Sequence, residues 1–268
     1  MAVGPSALAL LTAVLMRASH NGRFARGSEL IMPASPQVRN YLTRMDLVRL
    51  IAPSAPDPGI ARHPPVGFRP CREFVTADEC REVARELTDA LAERCETERI
   101  ARASIRICLD ELAENVVHRA DAPLGGFAAA QGWMRTQQFE IAIVDLGVGI
   151  RNSLAKNPAY ADIEDDVTAI NTALQPYVSS TPDRNSGIGL FITRLLLREN
   201  GGTLVVRSGL GAVYSGAEER EHEAEIGFPG TLVAVRARID RPLDINEVYR
   251  RLEIRDDGDN AGADDPSR

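Results

Sequence analysis

Histidine and cysteine are scarce in this sequence, and that scarcity limits the metal and redox sites it can form. The chain has four histidines and four cysteines in 268 residues. No two cysteines form a CxxC pair, and their spacing fits neither a zinc site nor a small disulfide framework. The sequence therefore predicts reduced, mostly buried cysteines in a cytoplasmic protein, and no site built from several histidines.

The sequence also lacks a basic stripe and a long apolar run. There are 31 Lys and Arg against 38 Asp and Glu, which gives a net charge of −7. Direct binding to nucleic acid is not expected, because it needs clustered cations to displace counterions. The apolar run at 7–16 is too short to cross a bilayer and has no basic residue before it. We expect a buried helix there, and no membrane partner.

A proline-rich linker at 52–70 divides the chain into unequal parts. The pattern of residues 1–51 predicts a helix–strand–helix segment. Its first helix, at 6–18, would be capped by Ser6, a strand would follow at 28–33, and the second helix would begin after Ser35. Residues 71–254 predict the main domain. Residues 255–268 are acidic and polar, and predict a disordered tail.

The order of elements in the main domain predicts its fold. Two helices, the first with a capping box at Thr76 and Glu79, are followed by two strands, two helices and three strands, and a short helix closes the domain. Short turns join the neighbouring strands. We therefore expect an α+β two-layer sandwich with a mixed, mostly antiparallel sheet and helices on one face.

The helix predicted at 97–119 carries an unusual polar stripe. A core face is formed by five apolar residues, namely Ile105, Cys108, Leu109, Leu112 and Val116. Glu111, Asn115 and His118 lie beside that face, at the edge of the core. Such a stripe is either a solvated helix face or the wall of a ligand cleft.

Two glycine motifs follow the polar stripe along the chain. The first places Asp145 at the end of an apolar strand, before Gly147 and Gly149. A carboxylate there can accept a hydrogen bond from an amine such as adenine N6, and glycines allow close approach to a flat ring. The second motif, at 185–190, opens a helix whose N–H groups and dipole favour phosphate. Taken singly, each motif is explained as well by a plain turn or helix start.

In this order and spacing, the three motifs resemble those of the GHKL ATPases, the group of gyrase, histidine kinases and MutL. "ELAEN" looks like their N box, "DLGVG" like their first glycine box and "NSGIGL" like their second. "FPGTLVAVR" is similar to their closing strand. The resemblance covers about residues 76–240 and implies the histidine kinase-like ATPase fold.

The resemblance implies a role for each of these residues, with ATP and Mg²⁺ as cofactors. Asn115 would hold Mg²⁺, and Glu111 would orient or deprotonate the attacking group. Asp145 would bind adenine with help from Thr231, beside Gly147 and Gly149, and residues 150–186 would form a lid. The phosphates would be held by residues of the second glycine box and its neighbours, namely Ser186, Gly187, Ile188, Gly189, Leu190, His118 and Arg184. Arg184 is otherwise a solvated lid arginine.

Three residues depart from the group's pattern. His118 stands where Lys or Arg is frequent, and Arg119 stands where the anti-sigma branch often has His. Asn185 replaces the first glycine of the second glycine box, although Asn tolerates left-handed backbone better than most residues. These departures leave the roles of the three positions open.

The closest branch by this resemblance is that of the anti-sigma-factor serine kinases. His20 and His63 lack the acidic neighbour and long helix of a phosphoacceptor histidine, and only residues 240–268 follow the last predicted strand, where gyrase and MutL have a second domain. Residues 1–51 resemble the second half of a STAS domain. Ser6 would then lie near a phosphoacceptor position, or it is a simple helix cap.

The resemblance therefore implies a regulatory serine/threonine protein kinase that depends on Mg²⁺ and ATP. Its protein partner would be an anti-sigma antagonist or a sigma-like factor, and kinases of this type are commonly homodimers. Two alternatives stay open. One is an ATP-gated interaction module without phosphoryl transfer, and the other is a histidine-kinase ATPase half that acts on another chain.

Overall fold

The fold places a five-stranded sheet between helical layers. The computed structural model describes residues 4–23, 31–52, 68–94, 99–119, 121–182 and 186–260. Its helices are α1 (Pro5–His20), α2 (Pro36–Arg44), α3 (Leu47–Ile51), α4 (Ala77–Arg94), α5 (Arg99–Arg119), α6 (Gly149–Leu154), α7 (Asp166–Ala173), α8 (Gly189–Asn200) and α9 (Ile245–Asn260). Its strands are β1 (Phe68–Phe74), β2 (Gly126–Trp133), β3 (Gln138–Asp145), β4 (Thr203–Ser215) and β5 (Arg220–Arg238).

All strand pairings in the sheet are antiparallel. The strands lie in the order β1-β2-β3-β5-β4, so β3 is central and pairs with both β2 and β5. In this register Asp145 at the end of β3 stands opposite Thr231 of β5. The predicted α+β fold with a mostly antiparallel sheet is confirmed, and the two predicted site residues at 145 and 231 are strand neighbours.

The first face of the sheet carries the larger core, beneath α4, α5, α8 and α9. Ile141 and Ile143 of β3 point into it, and the predicted core face of α5 is confirmed, since all five of its apolar residues are buried there. The capping box of α4 is also confirmed. The Glu79 carboxylate accepts hydrogen bonds from the Val75 and Thr76 N–H groups, and Glu79 N–H bonds back to Thr76.

The second face of the sheet is covered as well, by the N-terminal helices. Leu8 of α1 and Leu42 of α2 join Phe127, Ala142 and other residues of β2, β3 and β5 in a second core. The sequence predicts helices on one face only. That description holds for the segment from β1 onward, and α1–α3 add a third layer. The fully buried alanines of β2 and β3 fit this arrangement, because each face of the central strands meets a packed layer.

An unexpected carboxylate anchors α1 to this second face. Glu140 of β3 is only 3% exposed. Its Oε1 accepts a hydrogen bond from Ser6 N–H at 3.0 Å, and its Oε2 pairs with the Arg236 guanidinium at 2.5 Å. The prediction that Ser6 caps α1 is wrong. The N-cap is Gly4 and Pro5 opens the helix, so a side chain from the sheet satisfies an N–H of the first turn.

Several predicted element bounds change in the structure. β1 is a strand that the sequence analysis misses, and its first residues fall inside the predicted linker. Of the predicted strand at 28–33, residues 31–33 have no regular structure and the rest lies outside the described residues. Three predicted strands after α8 are two longer ones, β4 and β5. Helix α9 continues to Asn260, into the predicted tail.

The helix predicted after Ser35 is interrupted, although its start is as expected. Ser35 caps α2 through a hydrogen bond from Val38 N–H, and Pro36 is at the first turn. The chain then breaks at Asp46, which takes a left-handed φ of 61° before α3. Cys71 of β1 donates its backbone N–H to the Met45 carbonyl. This bond links the break to β1.

Two other sequence predictions concern the cysteines and the membrane. Cys71 and Cys108 are free and buried, and burial raises the pKa of the Cys71 thiol to about 12 and that of Cys108 to about 11. They are therefore unreactive thiols near neutral pH. Within the described residues, no helix has the length and apolar character needed to span a membrane.

Candidate functional site

One cavity opens where α5, the end of β3, the interior of β5, α6 and the start of α8 meet. It brings together eight residues that the sequence analysis selects, namely Glu111, Asn115, Asp145, Gly149, Gly187, Gly189, Leu190 and Thr231. These residues come from four separate stretches of the chain. The topology therefore joins all three motifs and the closing strand at one place.

The α5 wall of the cavity is polar. Glu111 and Asn115 are four residues apart, about one helical turn, and both are half-buried. Leu112 and Val116 line the same wall and continue into the core. The predicted cleft wall, rather than a solvated face, is what the structure has at these two positions. The side chain of His118 lies outside the described residues.

Asp145 is a buried carboxyl in the cavity lining. Its side chain is 4% exposed, and its Oδ1 accepts a hydrogen bond from Gly147 N–H at 2.8 Å. Burial raises the pKa of Asp145 to about 7, although hydrogen bonds from the backbone of Gly147 and Thr231 lower it. A carboxyl in this setting gains from a ligand that donates a hydrogen bond to it.

Ser208 fixes the turn that follows Asp145. Its Oγ accepts a hydrogen bond from Ile150 N–H at 2.8 Å and donates one to Gly230 O at 2.9 Å. A Cβ on Gly149, whose φ is +79°, would lie 2.9 Å from that Oγ, and a Cβ on Gly230 would overlap the Asp145 carbonyl. Glycine is required at both positions. The sequence gives no sign of the role of Ser208, because a lone serine in a strand belongs to no motif.

The second glycine motif packs tightly against two neighbours. Gly187 has φ +69°, and a Cβ there would overlap the Val178 backbone. A Cβ on Gly189 would lie 2.5 Å from Glu111 Oε2. The first turn of α8 therefore sits directly against the acid of α5. The N-cap residue of α8 is Ile188, which supplies no side-chain cap. A helix N-terminus whose N-cap residue gives no side-chain cap favours an anion.

The segment predicted as a lid has more structure than expected. It contains α6, a short 3-10 turn at Pro158–Tyr160 and α7, where the sequence predicts one helix at 162–174. Ser153 and Ser180 line the cavity and approach each other at 3.5 Å. Both hydroxyls are missed by the sequence analysis. Neither lies in a motif, and only the fold brings them together.

Contacts with the β4–β5 hairpin hold this segment in place. The Asp166 carboxylate at the start of α7 accepts a hydrogen bond from Leu210 N–H at 2.8 Å and pairs with Arg151 at 3.3 Å. Further along α7, Asn171 donates to Glu221 at 2.7 Å. In this structure the segment is therefore fastened to β4 and β5 along one side.

Other predicted site residues are placed apart from the cavity lining. Gly147 contributes its N–H to Asp145 but does not line the cavity, and neither do Ser186 and Ile188. Arg184 and Asn185 lie outside the described residues. Among the residues described, no cluster of three or more His, Cys, Asp or Glu is placed to hold a metal ion. The amide oxygen of Asn115, in the cavity lining, is an oxygen ligand of the kind that Mg²⁺ prefers.

Comparison with known proteins adds no family to this geometry. No protein-family model matches the chain, and no curated protein is similar to it. The cavity lining combines a buried hydrogen-bond acceptor with an acid, an amide and a helix N-terminus. Such a lining suits a ligand that carries both a hydrogen-bond donor, such as an amine, and an anionic group.

Proposed function

We propose that this chain binds ATP with Mg²⁺ in the cavity and acts as a regulatory serine/threonine protein kinase of the GHKL type. The observation that carries the proposal is the convergence of Asp145, Asn115 and the N-terminus of α8 on one cavity. Each group matches a different part of the nucleotide. No single motif of the sequence provides that match.

The residues fit the cofactors that the resemblance implies. Asp145 offers an acceptor to the adenine amine in a setting from which water is largely excluded. Thr231, its neighbour across the strands, lines the cavity beside it. The α8 N-terminus favours phosphate, and the Asn115 amide oxygen suits Mg²⁺, which needs few protein ligands when phosphates complete its shell. Bound Mg²⁺ would neutralise phosphate charge.

Glu111 has the placement of a general base. In the proposed reaction, the hydroxyl oxygen of a serine or threonine on the partner protein forms a bond to the γ-phosphorus of ATP, and the bond from that phosphorus to the β,γ-bridging oxygen breaks. The Glu111 carboxylate takes the hydroxyl proton, and ADP leaves. Glu111 stands against the first turn of α8, next to the expected phosphate position.

The same contact favours a second candidate function. A carboxylate packed against a helix N-terminus stabilises that helix by itself. Glu111 would then hold α8 in place, and ATP would alter protein interactions without phosphoryl transfer. The two functions make different demands on Glu111, so one substitution separates them.

Phosphoryl transfer tests the proposal directly. Purified protein would be incubated with γ-labelled ATP, Mg²⁺ and lysate of the native cell, beside Glu111→Ala and a matched control, Glu114→Ala. Glu114 is half-buried on the same helix but does not line the cavity. We expect an acid-stable labelled band that Glu114→Ala retains and Glu111→Ala loses, with ATP affinity unchanged in both.

Other outcomes would point elsewhere. An acid-labile band would indicate histidine phosphorylation in trans. If ATP binds but no band appears, the interaction module replaces the kinase. If calorimetry detects no ATP binding in the wild-type protein, the nucleotide site itself is refuted.

A further inference from the structure

The β4–β5 hairpin carries an irregularity at its middle. Gly209 pairs with Phe228, and Gly211 pairs with Glu223. Only Leu210 lies between these pairs on β4, whereas residues 224–227 lie between them on β5. The β5 strand therefore bulges away from its partner. Bulges of this kind commonly redirect side chains beside functional sites.

The bulge presents apolar side chains to solvent. Ile226 is 78% exposed and Leu210 is 37% exposed. A single exposed apolar side chain needs no explanation, but this pair is held in place by local contacts. Arg207 Nη2 donates to the Ile226 carbonyl at 3.2 Å, and the same guanidinium lies over the Phe228 ring. The exposure of Ile226 is thus fixed by the backbone around it.

Apart from Arg207, the charges beside the bulge are mostly acidic. Between residues 218 and 225 there are five glutamates, namely Glu218, Glu219, Glu221, Glu223 and Glu225, and Arg220 is the one arginine. Glu218 pairs with Arg220, Glu219 with Arg194, and Glu221 with Asn171. Glu223 and Glu225 form no ion pair within the part of the chain that the structure describes. The two acids that immediately precede Ile226 in the sequence are therefore available to a partner.

We propose that Leu210, Ile226, Glu223 and Glu225 form a docking surface for a partner protein. We name these four residues the bulge surface. Its acidity disfavours nucleic acid and anionic lipid and complements a segment in which an apolar side chain is flanked by Lys or Arg. Burial of Ile226 would supply affinity, and the glutamates would supply orientation and selectivity.

The position of the bulge surface gives the partner access to α7. The backbone N–H of Leu210 bonds to Asp166 at the start of that helix, and a Cβ on Gly211 would lie 2.7 Å from the Asp166 backbone. Thr231, which pairs with Ser208 on the other side of the bulge, lines the cavity. None of the four residues of the bulge surface lines the cavity, so this proposal can be tested independently of the proposed function.

Fluorescence anisotropy on the full chain, without nucleotide, tests the proposal. The probe is a labelled short peptide in which leucine alternates with lysine, and two further peptides replace lysine by glutamate or leucine by serine. We expect saturable one-to-one binding of the first peptide only. Ile226→Ser should raise Kd about tenfold. Glu223→Gln with Glu225→Gln should raise Kd less, and that change should shrink at high salt.

Matched variants elsewhere serve as controls. Val75 is also an exposed apolar residue, at 55%, and Glu82 is an exposed acid on α4. Val75→Ser and Glu82→Gln should leave Kd unchanged, and all variants should unfold at the wild-type urea midpoint. The proposal is overturned if the first peptide does not bind, or if the bulge variants bind it like the controls. It is also overturned if sedimentation shows Ile226-dependent self-association, which would make a second copy the occupant.

Discussion

Burial of the Asp145 carboxyl makes the free energy of unfolding depend on pH in a defined direction. The pKa of Asp145 is about 7 in the folded protein, against 3.8 for an unperturbed aspartate. Between these values the folded state holds a proton that the unfolded state has released. The stability contributed by this group is therefore greatest below pH 4, decreases as the pH rises toward 7, and is constant above that. The pKa of Asp145 differs by about 3 between the two states, which corresponds to a change of at most about 4 kcal/mol in the free energy of unfolding.

The substitution Asp145→Asn isolates this contribution. Asparagine cannot ionise, and its side-chain oxygen can still accept the hydrogen bond from Gly147 N–H. We expect the variant and the wild type to have similar stabilities near pH 4. Above pH 7 the variant should be more stable by up to about 4 kcal/mol, with a limiting slope of about 1.4 kcal/mol per pH unit between the two pKa values.

Urea denaturation followed by circular dichroism between pH 4 and 8.5 measures the difference. Asp165→Asn is a control of opposite sign, because Asp165 caps α7 and hydrogen bonds from Thr168 lower its pKa. That variant should be less stable than wild type by an amount that stays nearly constant from pH 4 to 8.5, because the stabilisation by Asp165 is lost only as the pH falls below about 4. The reasoning on Asp145 is refuted if the stability difference for Asp145→Asn is the same at pH 5 and pH 8.

Three further predictions concern the cavity and the α1 anchor. Adenosine should bind more tightly as the pH rises from 5.5 to 7.5, because the charged Asp145 accepts from its amine. Inosine lacks that amine, so its affinity should not rise over the same pH range. If calorimetry shows the same pH dependence of affinity for both nucleosides, this prediction is contradicted. Gly189→Ala should lower the free energy of unfolding, measured by urea denaturation, by about 1–3 kcal/mol, because the added Cβ would clash with Glu111. A cost near zero would mean that α8 shifts freely. Glu140→Ala should cost about 3 kcal/mol and Glu140→Gln less, because alanine leaves Arg236 and Ser6 N–H unpaired. Equal costs would argue against the anchor.

Local patterns in the sequence predict the helices that bear the site. The apolar stripe of α5 has a clear helical period, so both its core face and its polar edge follow from the sequence. The capping box at Thr76 and the glycine after α8 mark their helix ends equally well, and Gly201 has the expected left-handed φ of 71°. These signals lie within a few residues of the structure that they predict.

The features that the sequence analysis misses depend on distant partners. β1 has no alternating pattern, and it forms because β2 offers an edge to pair with. Glu140 looks like an exposed residue of a strand until α1 covers it. The roles of Ser208 and Ser180 depend on contacts with the α6 turn and the segment before α8. No local propensity contains such information, since tertiary contacts determine these positions.

The glycines and the aspartate of the cavity carry different weight as signs of function. Packing alone requires glycine at 187 and 189, because Val178 and Glu111 leave no room for a side chain. Their presence therefore indicates a close approach of α8 to its neighbours, with or without phosphate. Packing does not require an aspartate at 145, where the buried carboxyl lowers stability at neutral pH. A buried carboxyl that destabilises the fold is more characteristic of a ligand site than of a purely structural position, so Asp145 supports the proposed nucleotide site more strongly than the glycine motifs do.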